Sequence, residues 1–326
     1  MTADAAQALG YEEDEAHYRA LYRNIRSAIL REYYTASGRL CIDTQTAYIV
    51  ALATGLYPDR QRIVAALRER LYKDCFRLKG GFVGAPIMCR VMAENGMAEE
   101  AYYFLLQRDY PGWLHCVDLG STTIWERWNS VLDNGLLSGV DMNSLNHYSF
   151  GAVVEFLYRD AAGLRPLAPG FARAEIAPLP DTRLGWLKAR YDCPYGRYRS
   201  EWTIEDDGQI TLTVEVPFGC RAVVVLPDHP DHVREEVGAG VHTFHYRPAR
   251  ELRSRFGPRT PFKEMVDDER VMAALGRVAP RLKRHIDARE EEYLYETVET
   301  LRSLPPYMGY TEELLAQIKT ALAECY

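Results

Sequence analysis

The spacing of hydrophobic residues changes twice along this chain, and each change marks a place where one kind of layer gives way to another. In "AHYRALYRNIRSAILREYY", residues Tyr18, Leu21, Tyr22, Ile25, Ala28 and Ile29 recur at intervals of three and four, the period of an amphipathic helix. The same period predicts helices over "DTQTAYIVALATGL", "PDRQRIVAALRERLYKD", "GAPIMCRVMAENG", "MAEEAYYFLLQRD" and "SLNHYSFGAVVEFLYRDAAG", with a short one around Ile124 to Trp128. Asp43 or Thr44, and Asp59, stand where N-caps stand; Gly55, Gly96 and Gly163 stand where helices end. After "GLRPLAPG" the period drops to two: Ile210, Leu212, Val214 and Val216 share one strand face, and Asp207-Gly208 is a hairpin-turn pair. Strands through "FARAEIAPLP", "LGWLKARYDCPYGRYRSEWTIEDDG", "QITLTVEVP", "CRAVVVLP", "HVREEVGAG" and "VHTFHYRP" are enough for a small β-sandwich. From "TPFKEMVDDERVMAALGRV" onward helical spacing returns, through Phe262, Met265, Val266, Val271, Ala274 and Leu275. The chain reads as a helical part over 1–165, a β-sandwich over 166–248 and a small helical extension over 249–326.

Composition narrows the class of function. A net charge of −7 offers no basic footprint for a phosphate backbone, so nucleic acid is not an expected partner. No run of about 18 apolar residues is present and the opening "MTADAAQALGYEEDEAH" is acidic, so no membrane partner is expected and the chain reads as cytoplasmic. Seven cysteines without a CxxC fit reduced thiols better than a disulfide framework or a zinc site. His242 and His245, three apart in an extended segment, face opposite sides and cannot share an ion, so no metal is expected. No G-x-S-x-G elbow or glycine-rich phosphate loop occurs, and no cofactor is expected.

The loops between helices carry Trp, His, Asp, Asn and Gly rather than plain turn residues, and a helical scaffold places its site in such loops. In "STTIWERWNS", Glu126 sits between Trp125 and Arg127 with Trp128 just beyond. Spacing alone leaves two readings. The tryptophans, three apart, are one buried stripe with Glu126 outside it, or they wall a partly desolvated carboxylate that serves as a base. His147 in "NHYSF" is either a core histidine or a donor to a sugar hydroxyl at a helix start. Trp113 and Asp118 precede Glu126 in a long loop, and Phe82 lies in the glycine-rich "GGFVG".

Taken in order, "QTAYIVAL", "GLYP", "GGFVGAP", "YPGWLHCVDLGSTTIWERWNS", "SLNHYSFGAVVEFLYRDAAGL", "IAPLP", "YGRYRSEW", "VPFGCRAVVVLP" and "EVGAGVHTF" resemble the α-L-rhamnosidases of glycoside hydrolase family 78 across roughly residues 15 to 247. The resemblance implies a partial (α/α)6 six-hairpin barrel followed by a β-sandwich and a small C-terminal helical extension, and inverting hydrolysis of terminal α-L-rhamnose from a rhamnose-containing glycoside. It implies that Glu126 is the general base, with Trp113, Asp118, Trp125, Arg127, Trp128 and His147 around the sugar. The family's general acid lies upstream of everything matched, in an Asp- and Arg-rich motif absent from this chain, although inversion needs a second carboxyl group. The seven helices predicted before Arg165 also fall short of the twelve of a six-hairpin barrel. Half a ring leaves apolar surface open, so self-association or pairing with a complementing polypeptide is expected, with weak or no activity of the chain alone. A rhamnoside-binding protein without catalysis, or an interaction protein acting through the tail, are the alternatives. The tail's charged "DAREEEYLYE" reads as a solvated helix face.

Overall fold

A computed structural model describes every residue except 140, 251, 253–255 and 326. Its helical part runs α1 (Thr2–Leu9), α2 (Glu12–Tyr33), α3 (Gln45–Thr54), α4 (Arg60–Lys73), α5 (Ala85–Glu94), α6 (Ala98–Leu106), α7 (Trp113–Asp118) and α8, a continuous helix over 149–161 that starts as a 3-10 turn and ends as a π turn. The local chemistry accounts for the ends. Thr44 caps α3 by accepting from the Ala47 N–H, Asp59 caps α4 by accepting from Gln61 and Arg62, and Gly55 closes α3 in the left-handed region. Helix α5 is central: it packs on α3, α6 and α8, with Met88, Val91 and Met92 buried beside Ile49, Leu67, Phe104 and Phe156.

Helix α2 is different. None of its 22 residues is buried, and Tyr18, Leu21, Tyr22 and Ile25 stand exposed along one stripe. Its later turns are tied to the loop after α3 by Arg26, which donates to the Gly55 and Tyr57 carbonyls. Such a stripe of large apolar side chains exceeds the scattered apolar residues of an ordinary surface. Among the described residues no helix is long and apolar enough to cross a membrane.

The β part holds two four-stranded sheets. One is ordered β1 (Leu164–Pro166), β2 (Arg173–Ile176), β6 (Arg221–Val225), β7 (Arg234–Val237), the other β3 (Trp186–Cys193), β4 (Gly196–Ile204), β5 (Ile210–Val216), β8 (Gly240–Tyr246). Pairing is antiparallel except between β2 and β6. Ile210, Leu212, Val214 and Val216 all turn inward, as their alternation predicts, onto Ala174, Ile176, Ala222 and Val224 of the other sheet. The helical and β parts are joined at the end of α8. Buried Ser200 and Trp202 donate to the carbonyls of Ala162 and Ala161 at 2.7 and 2.9 Å, and Gly163, at φ 76°, lies so close to Ala177 and Pro178 that a Cβ there would sit 2.2 Å from their backbone. Only glycine fits that corner.

The extension has its own core, built on α9 (Phe262–Met265), α10 (Glu269–Val278), α11 (Pro280–Asp287), α12 (Glu291–Leu294) and α13 (Glu312–Ala323), with Phe262, Val271, Leu275, Ile286, Leu301 and Ile318 at its centre.

Three local expectations are corrected. Residues 124–128 form no helix, because their backbone pairs with 144–147 instead. Helix α8 begins at Ser149 rather than Ser144 for the same reason. The charged run of the tail is solvated only as far as Glu292; Tyr293, Leu294, Tyr295 and Glu296 are all buried.

Candidate active site

The N-terminal ends of α3, α5 and α8 lie side by side. Gly84, just before α5, meets Thr46 of α3, where a Cβ would come within 2.6 Å of the Thr46 Oγ1. Gln45 at the start of α3 donates to Asp74 and to the Arg77 carbonyl, which holds the loop leading to α5 against it. Phe82 of that loop reaches the start of α8, stacking on His147 at 5.0 Å and leaning on Phe150 at 5.4 Å. The residue-rich loops of the sequence therefore collect at one end of the helical part.

Two stretches of the longest loop close against each other there. The Glu126 N–H donates to the Ser144 carbonyl at 2.9 Å, the Ser144 N–H donates to the Glu126 Oε2 at 2.7 Å, and the His147 N–H donates to the Ile124 carbonyl at 2.7 Å. Thr123 Oγ1 donates to the Leu145 carbonyl. Glu126 and His147 are thus carried on facing backbones. The bond from Ser144 fixes one carboxylate oxygen, and a hydrogen bond to an ionised group is about twice as strong as a neutral one. Glu126 is half-buried, and among the described residues no cation is ion-paired with it. Arg127 turns away: its guanidinium donates to the carbonyls of Asp141 and Met142, clasping the far side of the loop.

An unbroken run of rings crosses the site. Tyr148 stacks on His147, His147 on Phe82, Phe82 leans on Phe150, Phe150 stacks on Trp128 at 4.0 Å, and Trp128 meets Trp113 edge to face at 5.2 Å. Each such pair is worth about 0.5–1.5 kcal/mol beyond its burial. Trp113 is anchored by its indole N–H, which donates to the Phe150 carbonyl at 2.9 Å. A cavity of about 290 Å³ opens between the ladder and the loop, lined by Trp113, Cys116, Thr123, Ile124, Trp125 and Trp128 among others. Burial raises the Cys116 thiol to about 11, so it is a neutral part of that wall.

Asp118 lies elsewhere, ion-paired with Arg108 at the end of α7. Trp125 is buried and turned to the cavity. Phe150 and Ser144 hold the site together without having stood out in the sequence. The signal for Phe150 was its place three residues after His147, which puts it on the same side of the chain as the helix begins. Nothing in the sequence marked the backbone pairing that uses Ser144.

Comparison with known proteins shows which family the helical and β parts resemble. Residues 1–161 match the family model of the bacterial α-L-rhamnosidase six-hairpin glycosidase domain, and residues 163–240 match the bacterial α-L-rhamnosidase C-terminal domain. An α-L-rhamnosidase of Streptomyces avermitilis is 35% identical over 266 residues, covering 74% of this chain and 25% of its own. One of Formosa agariphila is 35% identical over 231 residues, covering 70% and 25%. Among solved structures, the native α-L-rhamnosidase of Aspergillus terreus superposes with a TM-score of 0.71 at 30% identity, covering 75% of this chain and 29% of that one. The Streptomyces avermitilis enzyme complexed with L-rhamnose gives 0.70 at 34% identity, covering 75% and 25%. The chain belongs to the bacterial α-L-rhamnosidase family. It spans about a quarter of the length of the curated relatives it matches.

Proposed function

We propose that this chain carries the water-activating side of an α-L-rhamnosidase site. Glu126 takes the proton from the attacking water as the glycosidic bond opens, and the sugar inverts. The observation that carries this reading is the pair of facing backbones that brings Glu126 and His147 to the same end of the helical part, Glu126 following directly on Trp125 of an aromatic hollow whose own lining includes neither Glu126 nor His147. With Oε2 held by the Ser144 N–H, Oε1 is the oxygen left for water. The apolar walls of Trp125 and Trp128 suit the C–H face and methyl group of a 6-deoxyhexose, and the His147 ring, stacked between Phe82 and Tyr148, presents its edge to a hydroxyl. Trp113 braces Trp128 from behind, and Arg127 and Asp118 act through the loop they tie rather than on the sugar.

A leaving group also needs a proton donor. Asp43 is engaged by Tyr48 and Arg70, Asp118 by Arg108, and Asp133 lies 3.9 Å from His115. Asp43 and Asp118 accept from these partners, Asp133 is exposed without a hydrogen bond to His115, and Asp141 contributes its carbonyl to Arg127. The isolated chain is therefore expected to bind rhamnose and to hydrolyse an aryl α-L-rhamnoside slowly or not at all. A binding protein without catalysis is the second reading, favoured by a formed aromatic wall with Asp43 and Asp118 already engaged. Kinetics on an aryl α-L-rhamnoside together with calorimetry on L-rhamnose separates the two. Turnover abolished by Glu126→Gln supports the enzyme, binding without turnover limits the isolated chain to the second reading, and neither binding nor turnover sinks both.

A further inference from the structure

The family models end at residue 240, so the extension beyond the sandwich has no role assigned by them. It is not set apart from the helical part. Tyr295, buried in what reads as a charge run, places its ring and hydroxyl between two cations that belong to different elements. Arg77, on the loop that carries Phe82, donates to the Tyr295 hydroxyl at 3.0 Å with its guanidinium 5.3 Å from the ring centre. Lys263 of α9 donates to the same hydroxyl at 3.2 Å, its ammonium 5.1 Å from the ring centre. Beyond these two the contacts continue outward. Arg77 pairs with Glu291 of α12 at 2.7 Å, and Lys263 pairs with Asp109, in the loop that leads to Trp113. Glu296 accepts from the Tyr72 hydroxyl on α4, and Cys75 packs into the extension's core.

The two loops gripped here bear on opposite ends of the aromatic ladder. Arg77 is five residues before Phe82, which stacks on His147; Asp109 is four residues before Trp113, which meets Trp128 edge to face. We infer that the C-terminal extension is a brace for the sugar site, with Tyr295 the positioning residue that ties together the loops bearing Phe82 and Trp113. The ring lies between cations that would otherwise repel each other. The phenol oxygen accepts from both, so a single side chain holds the spacing of both loops. The predicted effect on the sugar rests on the rhamnose-site reading above; the effect on the loops does not.

The test uses the full chain with Tyr295→Phe, which keeps the buried ring and removes only the shared acceptor. Hydrogen exchange is followed at the amides of Lys79 and Gly84 in the first loop and of Cys116 after the second, against those of α8 as an internal reference. Losing hydrogen bonds to charged donors is expected to speed exchange in both loops about tenfold, with α8 unchanged. L-rhamnose affinity is expected to fall by a similar factor while the melting temperature of the extension hardly moves. Glu291→Gln, at an exposed position, removes the outer pair with Arg77 and is expected to act in the same direction on the first loop, more weakly; it decides the matter should Tyr295→Phe fail to fold. Exchange that accelerates only within 262–296, or nowhere, overturns the brace. Wild-type protein that binds no rhamnose overturns the site reading instead, and leaves the exchange comparison to judge the brace.

Discussion

Asp160, in the π turn that ends α8, makes the stability of the junction between the helical and β parts depend on pH. Its side chain is fully buried; Oδ1 accepts from Arg165 Nη2 at 2.7 Å, while Oδ2 has no hydrogen-bond partner among the described residues. Burial pushes the carboxyl up from 3.8 to about 6, with Arg165 pulling it down and Glu94 pushing it further up. Between those two values the unfolded chain gives up its proton and the folded chain keeps it. Folding is then favoured at the acid end of the window, and stability falls as pH rises from 3.8 towards 6. A shift of about two units corresponds to about 3 kcal/mol between the ends of that window. Asp160→Asn keeps an oxygen for Arg165 and cannot ionise, so it is expected to be more stable than wild type at pH 7 and to lose that advantage at pH 4. Other carboxylates titrate over the same range in both proteins, so the difference between the two unfolding curves is the observable. Chemical denaturation at half-unit steps from pH 4 to pH 7 measures it. A difference that stays flat, or that shrinks as pH rises, would refute the argument from burial.

Gly163→Ala forces a Cβ to within 2.2 Å of the Ala177 and Pro178 backbone at φ 76°, and is expected to cost about 3 kcal/mol or more, read as a lowered denaturation midpoint of the same junction. Leu21→Lys with Ile25→Lys charges the uncovered stripe of α2, where neither residue is buried; sedimentation should show wild type associating with rising concentration and the double variant monomeric, with no loss of stability. Glu126→Gln keeps the shape of the carboxylate but not its charge, so any turnover of an aryl α-L-rhamnoside is expected to drop by a factor of about 100 or more while sugar affinity changes by less than about threefold.

Much of the architecture was legible because burial on one face leaves a clean period. β5 alternates without a break, and Thr44, Asp59 and Gly55 terminate helices by local chemistry that does not depend on tertiary contacts. The stretch at 124–128 was not legible. Two tryptophans three apart fit a helix stripe, yet here Trp125 lines the cavity and Trp128 stacks on Phe150 because the backbone between them pairs with 144–147. Pairing across twenty residues of loop leaves no periodic trace. α7 is only six residues long, too short to show a period. Tyr295 was hidden for another reason: it stands near the end of a run of charged residues that is solvated only as far as Glu292, and the fold buries it together with Leu294 and Glu296. At the candidate site, Glu126, His147 and the tryptophans stood out by residue type, whereas the turning of Arg127 to the Asp141 and Met142 carbonyls and of Asp118 to Arg108 was decided by which partners the loop brought near.

Calorimetric titration of the chain with L-rhamnose, beside its Trp128→Ala variant, tests most directly whether the aromatic hollow next to Glu126 is a sugar site. Saturable binding to the wild type is predicted, weakened about tenfold when Trp128, a wall of the cavity stacked on Phe150, is removed. Binding of equal strength in both proteins, or none in the wild type, would contradict it.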